Sequence, residues 1–386
     1  MKPRLIFTVT NDLNYDQRMM RICGTMTNAG YDVLLIGRQR SNSQALQVQN
    51  FEQKRLHCFF DRGKLFYIEY NLRLLILLSW MRFDLVCAID LDTLLPAFIV
   101  ARLRRKILVY DAHEYFSQVP ELVNRPRTQR IWQCLEQWII PQLSHCYTVG
   151  EGLAKVFKKK FGTPFQVVRN VPWAIQESST NSTNEQPTTN PKILLYQGVL
   201  NDGRGLEQMI RTMTKIEGAS LWLAGEGDLS ATLRQLVHEL KLEDKVRFLG
   251  YLRPTALKAI TAKAYIGLNL LENKGLNYYY SLANKTFDYI QQEIPALHMR
   301  FPEYQSINAA YEIGVLVDDL KEVTLHSAVR RLLEDETYYQ QLKANCRRAK
   351  KVYTWERESE KLTAFYAQIC PLPTKEKQAN SNDSAH

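Results

Sequence analysis

The chain has 386 residues, of which 45% are hydrophobic and 23% are charged, and this composition excludes a wholly disordered protein. At roughly 100–200 residues per domain, the length predicts two or three domains. No apolar run reaches the roughly 20 residues of a membrane-spanning helix. The formal net charge of +10 favours an anionic partner: nucleic acid, an anionic membrane surface or a phosphate-bearing ligand.

The N-terminal segment and the cysteines indicate the cellular compartment. The first residues, MKPRLIFTVT, carry two early cations and then a short apolar stretch, which predicts a first strand rather than a signal peptide. The 7 cysteines are scattered and never spaced as CxxC, so we expect neither a disulfide framework nor a metal site. A reducing cytoplasm is the expected location.

Short apolar runs alternate with longer helical patterns through the first half of the chain. The predicted strands are 4–9, 33–38, 84–89, 107–111, 146–149 and 165–169. The predicted helices include 17–29 and 127–143. Strands that alternate with helices favour a parallel sheet covered on both faces.

The composition then changes and the alternation starts again. The stretch SSTNSTNEQPTTN has no large apolar residue and predicts a linker over 174–191. The strands predicted after it are 193–197, 220–224, 246–249, 266–271, 295–299 and 314–317, with helices that include 205–216 and 231–240. The predicted fold class is therefore α/β, with two Rossmann-like, doubly wound domains facing a cleft, where ligands bind beyond the carboxyl ends of the strands.

The domain boundaries follow from this pattern. The N-terminal domain is expected over 1–173 and the C-terminal domain over 192–352. A final helix is predicted over 353–370, and a polar tail over 371–386.

The turn QGVLNDGRG follows a predicted strand and precedes a predicted helix. Gly198, Gly203 and Gly205 allow close approach of the backbone, and Arg204 adds a positive charge, which together suit a phosphate or diphosphate. The alternative is a tight turn with a solvated arginine. The turn LAGEGD contains Gly227 and carries the same two interpretations.

A further candidate is the segment YYYSLANKTFD. A helix that begins at 282 or 283 places Ser281 at its N-cap, with Asn284 and Asp288 one turn apart on one face. An anion would then bind at the cap, with Lys285 beside it, while the Asp288 carboxylate accepts hydrogen bonds from two neighbouring ribose hydroxyls. The alternative is a capped helix with a solvated polar face.

Titratable residues also follow two strands of the first half. His113 and Glu114 come at the end of the strand in VYDAHEY, where a histidine suits contact with a sugar hydroxyl or acid–base catalysis. A structural histidine is the alternative. The loop after the first strand contributes Asp12, Asp16 and Arg18, which either line the cleft or begin a helix, where Asp16 favours the helix dipole.

Basic residues are concentrated in the first half, where 1–190 contain 24 Lys and Arg against 16 Asp and Glu. Two runs stand out: RLRRK from Arg102 to Lys106 and KVFKKK from Lys155 to Lys160. They are either solvated helix faces or contacts to an anionic membrane surface. Aromatic residues of the kind that stack on bases are sparse between them, so nucleic acid is not the expected partner.

Taken together, these motifs resemble the GT-B glycosyltransferases of the retaining family 4 type, also called glycosyl transferases group 1. The segments that carry the resemblance are YDAHEYF, VVRNVP, QGVLNDGRGL, LAGEGDL, VRFLGYL, SLANKTFDYIQQEIP and the Trp-Glu pair that starts the last helix. The resemblance implies transfer of a sugar, with retention, from a nucleotide-diphosphate sugar to a glycan or lipid-linked acceptor in cell-surface polysaccharide synthesis. It implies no metal and no cofactor beyond this co-substrate.

The resemblance also implies residue roles. Arg204 corresponds to the basic residue that neutralises the diphosphate, Asp288 to the second acid of the E-x7-E motif, which contacts ribose, and His113 to the histidine near the transferred sugar. The C-terminal domain then holds the donor, the N-terminal domain binds the acceptor, and the final helix crosses back to the N-terminal domain.

The sequence departs from the family pattern at several points. Tyr280 stands where the first acid of E-x7-E is expected, Ala283 replaces a common proline, and Glu293 replaces a usual glycine. The loop NDLNYDQRM replaces a Gly-Gly turn. Two alternatives therefore stay open, a catalytically silent GT-B partner subunit and a nucleotide-sugar epimerase. The excess charge of the first half predicts a cytoplasmic enzyme held peripherally at the inner face of the membrane.

Overall fold

The computed structural model describes residues 2–41, 43–175 and 191–373, and the chain divides into two compact units. The first unit is Met1–Asn170 with Arg357–His386, and the second is Val171–Glu356. Most of the predicted linker, 174–191, and of the predicted polar tail, 371–386, lies outside the described residues.

A seven-stranded parallel sheet forms the centre of the first unit. Its strands are β1 Arg4–Thr8, β2 Asp32–Gln39, β3 Glu52–His57, β4 Leu85–Ile89, β5 Ile107–Ala112, β6 Cys146–Thr148 and β7 Gln166–Val167. The helices are α1 Gln17–Asn28, α2 Gly63–Trp80, α3 Leu91–Leu103, α4 Pro120–Val123, α5 Pro126–Ile139 and α6 Glu151–Phe161. The strand order β3-β2-β1-β4-β5-β6-β7 changes direction between β1 and β4.

The second unit is built around a six-stranded parallel sheet. Its strands are β8 Lys192–Gln197, β9 Ala219–Ala224, β10 Val246–Gly250, β11 Ile266–Asn269, β12 Ala296–Met299 and β13 Gly314–Val317. Its helices are α7 Leu206–Thr212, α8 Ser230–Glu239, α9 Pro254–Thr261, α10 Leu276–Tyr279, α11 Asn284–Gln291, α12 Pro302–Tyr311, α13 Glu322–Glu334 and α14 Glu336–Lys350, and they are followed by the last helix of the chain, α15 Trp355–Ile369. The order β10-β9-β8-β11-β12-β13 changes direction between β8 and β11.

The last helix, α15, belongs to the first unit from Arg357 onward. The Tyr366 hydroxyl lies 3.3 Å from that of Tyr147 on β6, and the Tyr366 ring packs 5.9 Å from Phe7 on β1. The Glu358 carboxylate accepts a 2.9 Å hydrogen bond from the backbone N–H of Arg169. The C-terminal helix therefore completes the core of the unit that begins the chain.

The central strands are buried on both faces, which explains their nearly continuous apolar sequences. All five residues of β4, LVCAI, are buried, and so are five of the six residues of β8, KILLYQ. This double burial is what made the strands visible in the sequence, and all twelve predicted strands are present with boundaries shifted by at most two residues. The predicted fold class of two Rossmann-like parallel sheets is confirmed.

The sequence analysis missed β3. Its sequence, EQKRLH, has no apolar run, and it lies at the edge of the sheet, where it pairs only with β2. An edge strand has one free side and so needs fewer apolar residues than a central strand. The position of β3 at the edge of the sheet therefore explains its polar sequence.

Candidate functional site

Each sheet presents a polar cluster at the carboxyl ends of its strands, next to the point where the strand order changes direction. This is the position where open α/β sheets bind ligands. In the second unit the cluster surrounds the turn after β8. In the first unit it surrounds the ends of β1, β4 and β5.

The turn after β8 requires glycine at three positions. Gly198, Gly203 and Gly205 have φ angles of +133°, +77° and +64°, in the region that side chains rarely adopt. A Cβ on Gly203 would also lie 2.8 Å from the ring of Tyr278, and one on Gly198 would lie 3.4 Å from Nζ of Lys285. The glycines therefore let the backbone of this turn lie against the residues around it.

Two cations lie beside this turn without an acidic partner. The Arg204 guanidinium lies over the ring of Tyr278, 4.9 Å from its centroid, and its buried Nε has no hydrogen-bond partner. Lys285 is 9% exposed, and its Nζ lies 3.6 Å from the centroid of Tyr196. No ion pair joins either cation to a carboxylate within the residues that the structure describes.

The pKa of Lys285 depends on burial and on the charges around it. Burial and the nearby Arg204 charge hold the pKa of Lys285 well below its usual value, although Asp288 acts in the opposite direction. Keeping two positive charges close together in a buried place is unfavourable unless an anion neutralises them. The arrangement suits a diphosphate.

Asp288 is held in place by a short hydrogen-bond relay. The Gln197 side-chain amide donates to Oδ2 of Asp288 at 2.7 Å, and the Thr261 hydroxyl donates to Oε1 of Gln197 at 2.8 Å. The relay fixes one carboxylate oxygen. The sequence analysis missed both relay residues; the place of Gln197 at the carboxyl end of a predicted strand was the available signal, and nothing marks Thr261.

The prediction that Ser281 caps a helix is wrong. The helix α11 begins at Asn284, and Ala283 occupies its N-cap without a side-chain hydrogen bond. The Ser281 hydroxyl instead donates to the carbonyl of Tyr278 at 2.8 Å. Ser281 lies two positions before the cap because the chain makes the short helix α10 and stays extended before α11. Asn284 and Asp288 do lie one turn apart on α11, as expected.

Gly227 has a packing role in the turn after β9. A Cβ there would lie 2.5 Å from the Leu200 carbonyl oxygen and from Oδ1 of Asn201. The neighbouring Asp228 N–H donates to the same Asn201 oxygen at 3.1 Å. This contact holds the two turns of the second unit together, while donor contact by Gly227 stays a prediction.

In the first unit, Arg18 and Asp111 form a buried ion pair. The Arg18 Nη2 lies 3.0 Å from Oδ1 of Asp111, and the two side chains are 3% and 0% exposed. Arg18 also donates to the Val168 carbonyl at 3.0 Å. Burial by itself would raise the pKa of Asp111, but the positive charges of Arg18 and His113 outweigh it and lower that pKa. Arg18 therefore has a full set of partners inside the unit.

His113 joins this pair. Its Nε2 lies 2.9 Å from Oδ2 of Asp111 and 2.9 Å from Nε of Arg18, and its backbone N–H donates to Oδ1 of Asp90 at 2.8 Å. Burial lowers the pKa of His113, yet the carboxylates of Asp111 and Asp90 outweigh it, so the pKa is raised. The ring Nδ1 is 3.7 Å from Asp90 and forms no hydrogen bond in the described part of the chain, which leaves it available to a ligand.

Two acids that the sequence analysis missed complete this cluster. Asp90 and Asp92 follow β4 directly, and burial raises the pKa of Asp90 well above its usual value and that of Asp92 to about 7. The half-buried Glu114 contributes to both shifts. The sequence AIDLD at the end of a predicted strand was the signal that could have identified them.

Asp12 and Asp16 do not join the His113 cluster. The Asp16 carboxylate accepts from the backbone N–H of Met19 at 3.0 Å and so caps α1, the helix-start interpretation of this residue. Asp12 is ion-paired with Arg55 on β3, at 2.5 Å. Of the three acidic or basic residues predicted in this loop, only Arg18 reaches His113.

The two basic runs have different surroundings. In the first, Arg104 donates to the carbonyls of Leu78 and Met81 at the end of α2, whereas Arg102 is exposed. In the second, Lys160 is bonded to Glu136 and Tyr115, so part of each run has a structural role. Membrane contact by these runs stays a prediction.

Two kinds of feature are absent from the part of the chain that the structure describes. In 2–41, 43–175 and 191–373, no group of three or more His, Cys, Asp or Glu residues is arranged to hold a metal ion. Over the same ranges, no helix has both the length and the apolar content of a membrane span.

Comparison with known proteins identifies the class. The model "Glycosyltransferase Family 4" matches residues 17–176, and the model "Glycosyl transferases group 1" matches residues 178–349. Together they span most of the chain. The chain therefore belongs to these glycosyltransferase families, and its fold is of the GT-B type.

Individual relatives of known sequence are similar to this chain over only part of its length. The lipopolysaccharide core biosynthesis glycosyltransferase LpsD of Rhizobium meliloti is 25% identical over 50% of this chain and 53% of its own length. The chain spans only 26% to 53% of the length of the curated relatives that it matches.

Solved structures share the fold at low identity. The sucrose-phosphate synthase of Thermosynechococcus elongatus superposes with a TM-score of 0.77 at 17% identity, over 96% of this chain and 99% of that one. HepE from Anabaena, solved in complex with UDP-glucose, has a TM-score of 0.74 at 13% identity, over 95% and 99%.

Proposed function

We propose that the enzyme transfers a hexosyl group from a nucleotide-diphosphate sugar to a glycan or lipid-linked acceptor, with retention of anomeric configuration, in the synthesis of a cell-surface polysaccharide. The observation that carries the proposal is the pair of cations beside the glycine turn of the second unit, Arg204 and Lys285, neither of which forms an ion pair in the described part of the chain. A diphosphate supplies the negative charge that this place lacks. HepE, which shares the fold, binds UDP-glucose, and LpsD acts in lipopolysaccharide core synthesis.

The donor is held by three features of the second unit. Arg204 and Lys285 neutralise the diphosphate, the backbone of Gly198 and Gly203 lies against it, and Asp288 accepts hydrogen bonds from the ribose hydroxyls. The first acid of the family motif is absent, since Tyr280 stands there and packs edge-on against Tyr279 with ring centroids 5.0 Å apart. Donor binding therefore depends more heavily on the cations and on Asp288.

The chemistry requires stabilisation of the leaving group. As the bond from the sugar C1 to the diphosphate oxygen breaks, negative charge develops on that oxygen, and fixed cations stabilise it strongly in a site with little water. The acceptor hydroxyl attacks C1 from the face that the diphosphate leaves, and its proton passes to a diphosphate oxygen. No metal is needed for this charge balance, and none is proposed.

In the first unit, His113 is proposed to contact the transferred sugar through Nδ1. Asp111 and Arg18 occupy its Nε2, so Nδ1–H is the group left to donate. The raised pKa of His113 favours the protonated ring, in which Nδ1–H is a hydrogen-bond donor. Direct contact by Asp12 and Asp16 is not part of this proposal, since both are engaged in structural bonds.

The test is a screen of donor hydrolysis and transfer with UDP-, ADP- and GDP-sugars, followed by NMR of the anomeric proton of the product. We expect Arg204→Ala, Lys285→Ala and Asp288→Ala each to reduce turnover by at least about 100-fold, with Arg234→Ala, an exposed arginine on α8, as the matched control. Full activity in the three variants would refute the donor site. An inverted product would refute retention.

Tyr280 makes a catalytically silent subunit the second candidate. A silent protein shows no thermal stabilisation by UDP, ADP or GDP, whereas an active donor site is stabilised by the nucleotide that it binds. Incubation with the donor alone separates a third case, because an epimerase converts the sugar without an acceptor.

A further inference from the structure

The outward face of α2 is apolar along its whole length. Five side chains that recur every three or four residues are more than half exposed: Leu65, Ile68, Leu72, Ile76 and Trp80. The residues on the opposite face are buried: Phe66, Tyr70, Leu74 and Leu78. A helix that is apolar on both faces is normally buried on both. Nothing in the described residues covers the outer face of α2.

The loop before α2 extends this surface. The backbone N–H groups of Phe59 and Phe60 donate to the Glu69 carboxylate at 2.9 and 3.0 Å, which ties the loop to the helix. The Phe59 side chain is 80% exposed and lies 5.1 Å from the Arg73 guanidinium. The only acidic residue of the helix, Glu69, is thus bonded to the loop and also pairs with Arg73 at 2.8 Å.

The end of α3 lies at the other end of the helix. The Arg104 guanidinium donates to the carbonyls of Leu78 and Met81, which fixes this arginine of the RLRRK run at the C-terminal end of α2. Leu103 in this run is 78% exposed. We call the eight apolar residues the α2 surface: Phe59, Phe60, Leu65, Ile68, Leu72, Ile76, Trp80 and Leu103.

Positive charge lies at both ends of the α2 surface. Arg62 and Lys64 are exposed at the start of α2, and Arg82, Arg102 and Arg105 are exposed at its end. The nearby acids are neutralised in part, since Asp61 pairs with Arg38 and Asp84 with Lys106. An apolar ridge with cationic ends is complementary to an anionic surface that has an apolar interior.

We propose that the α2 surface lies in the interface of a bilayer that contains anionic phospholipids. At 1.5 Å per residue, the 18 residues of α2 make a ridge about 27 Å long, with aliphatic side chains along it and aromatic ones at its ends. Trp80 and the phenylalanines suit the headgroup level, and the aliphatic stripe suits the acyl boundary. Side chains that project from one exposed helix form a convex ridge, which is poorly suited to receive anchor residues of a protein partner.

The α2 surface is connected to the first-unit cluster. The Tyr70 hydroxyl donates to the Val9 carbonyl at the end of β1, and Nδ2 of Asn71 donates to the Asp92 carbonyl at 2.9 Å. A bilayer against α2 therefore lies near the carboxyl ends of the strands, where the cluster around His113 is located. This placement would present a lipid-linked acceptor to the first unit, and this part of the inference rests on the proposed function.

The test is flotation of the full-length protein with vesicles of phosphatidylcholine alone and of phosphatidylcholine with about one-third phosphatidylglycerol. We expect binding to the anionic vesicles only, and weaker binding as salt increases. The variant Ile68→Gln/Leu72→Gln/Ile76→Gln should lower that binding by about tenfold or more. The matched control, Val48→Gln/Val323→Gln, removes two exposed valines elsewhere and should bind like the wild type.

Two readouts keep the outcomes distinct. Donor hydrolysis without vesicles should be unchanged in the triple variant, so a protein that binds vesicles but lacks transferase activity refutes the proposed function and not this surface. Equal binding to neutral vesicles, no binding to anionic vesicles, or full binding by a folded triple variant would overturn the proposal. A dimeric wild type that the triple variant makes monomeric would overturn it too, because a second copy would then cover α2.

Discussion

The side-chain amide of Gln197 donates a 2.7 Å hydrogen bond to Oδ2 of Asp288, and this bond ties the end of β8 to α11. Gln197 is in turn held by Thr261, so the carboxylate is oriented before any ligand arrives. A group that is oriented in advance loses little entropy on binding. Under the proposed function, the relay orients the carboxylate that accepts hydrogen bonds from the ribose hydroxyls.

Replacing Gln197 should weaken nucleotide binding without unfolding the protein. Gln197→Ala removes one hydrogen bond worth about 1 kcal/mol, so we expect about a fivefold higher Kd, measured by calorimetry with the tightest binder among UDP, ADP and GDP. Gln197→Glu places a like charge beside Asp288 and should weaken binding further. The control is Gln235→Ala, which breaks an exposed amide–carboxylate pair on α8. An unchanged Kd in both Gln197 variants would remove the relay from the donor site.

Lys285→Met should make the protein more stable and less active. The pKa of Lys285 is depressed in the folded protein, so its charged form opposes folding at neutral pH, and this cost disappears as pH rises past the ordinary lysine value. We expect an increase in unfolding free energy of about 1 kcal/mol or more at pH 7, which shrinks near pH 10.

The measurement is thermal unfolding across that pH range, together with donor hydrolysis. The exposed Lys258→Met serves as control. A Lys285→Met protein that is less stable at pH 7 would show that the ammonium has a partner in the folded state.

Arg18→Met should destabilise the first unit. It leaves the fully buried Asp111 carboxylate without its main partner, and breaking such a pair costs about 3–5 kcal/mol. We expect a clear fall in the midpoint of urea unfolding, followed by tryptophan fluorescence. Arg40→Met, at an exposed position on the same unit, is the control. A shift no larger than that of the control would mean that Asp111 is neutral in the folded protein.

Asp92→Asn should stabilise the protein in a pH-dependent way. Burial raises the pKa of Asp92 to about 7 in the folded state, from 3.8 in the unfolded state. The carboxylate therefore costs nothing below about pH 4, its cost grows as pH rises to 7, and it is constant above that. The stability difference between variant and wild type should grow from near zero at pH 4 to at most ~4 kcal/mol at pH 8.

Thermal unfolding at pH 4, 6 and 8 measures this dependence. Asp32→Asn is the control, because that carboxylate is partly exposed and paired with Arg4. A difference that is flat with pH would contradict a raised pKa at Asp92.

The sequence by itself determined the fold class and the turns that carry the proposed donor site. Doubly buried strands must be apolar throughout, so β4 and β8 were evident without a structure. The glycines were evident because the turn after β8 needs left-handed backbone angles at three positions. Arg204 was evident because it lies between two of these glycines. Local constraints of this kind leave their mark on residues that are adjacent in the chain.

Only the tertiary structure decided which side chains meet. Gln197, Thr261 and Asp288 lie on three elements far apart in sequence, and so do Arg18 and Asp111, which are 93 residues apart. The edge strand β3 and the displaced Ser281 were misjudged because their conformations depend on neighbours in space. Long-range packing also decided which face of α2 stays uncovered, since its sequence is apolar on both sides.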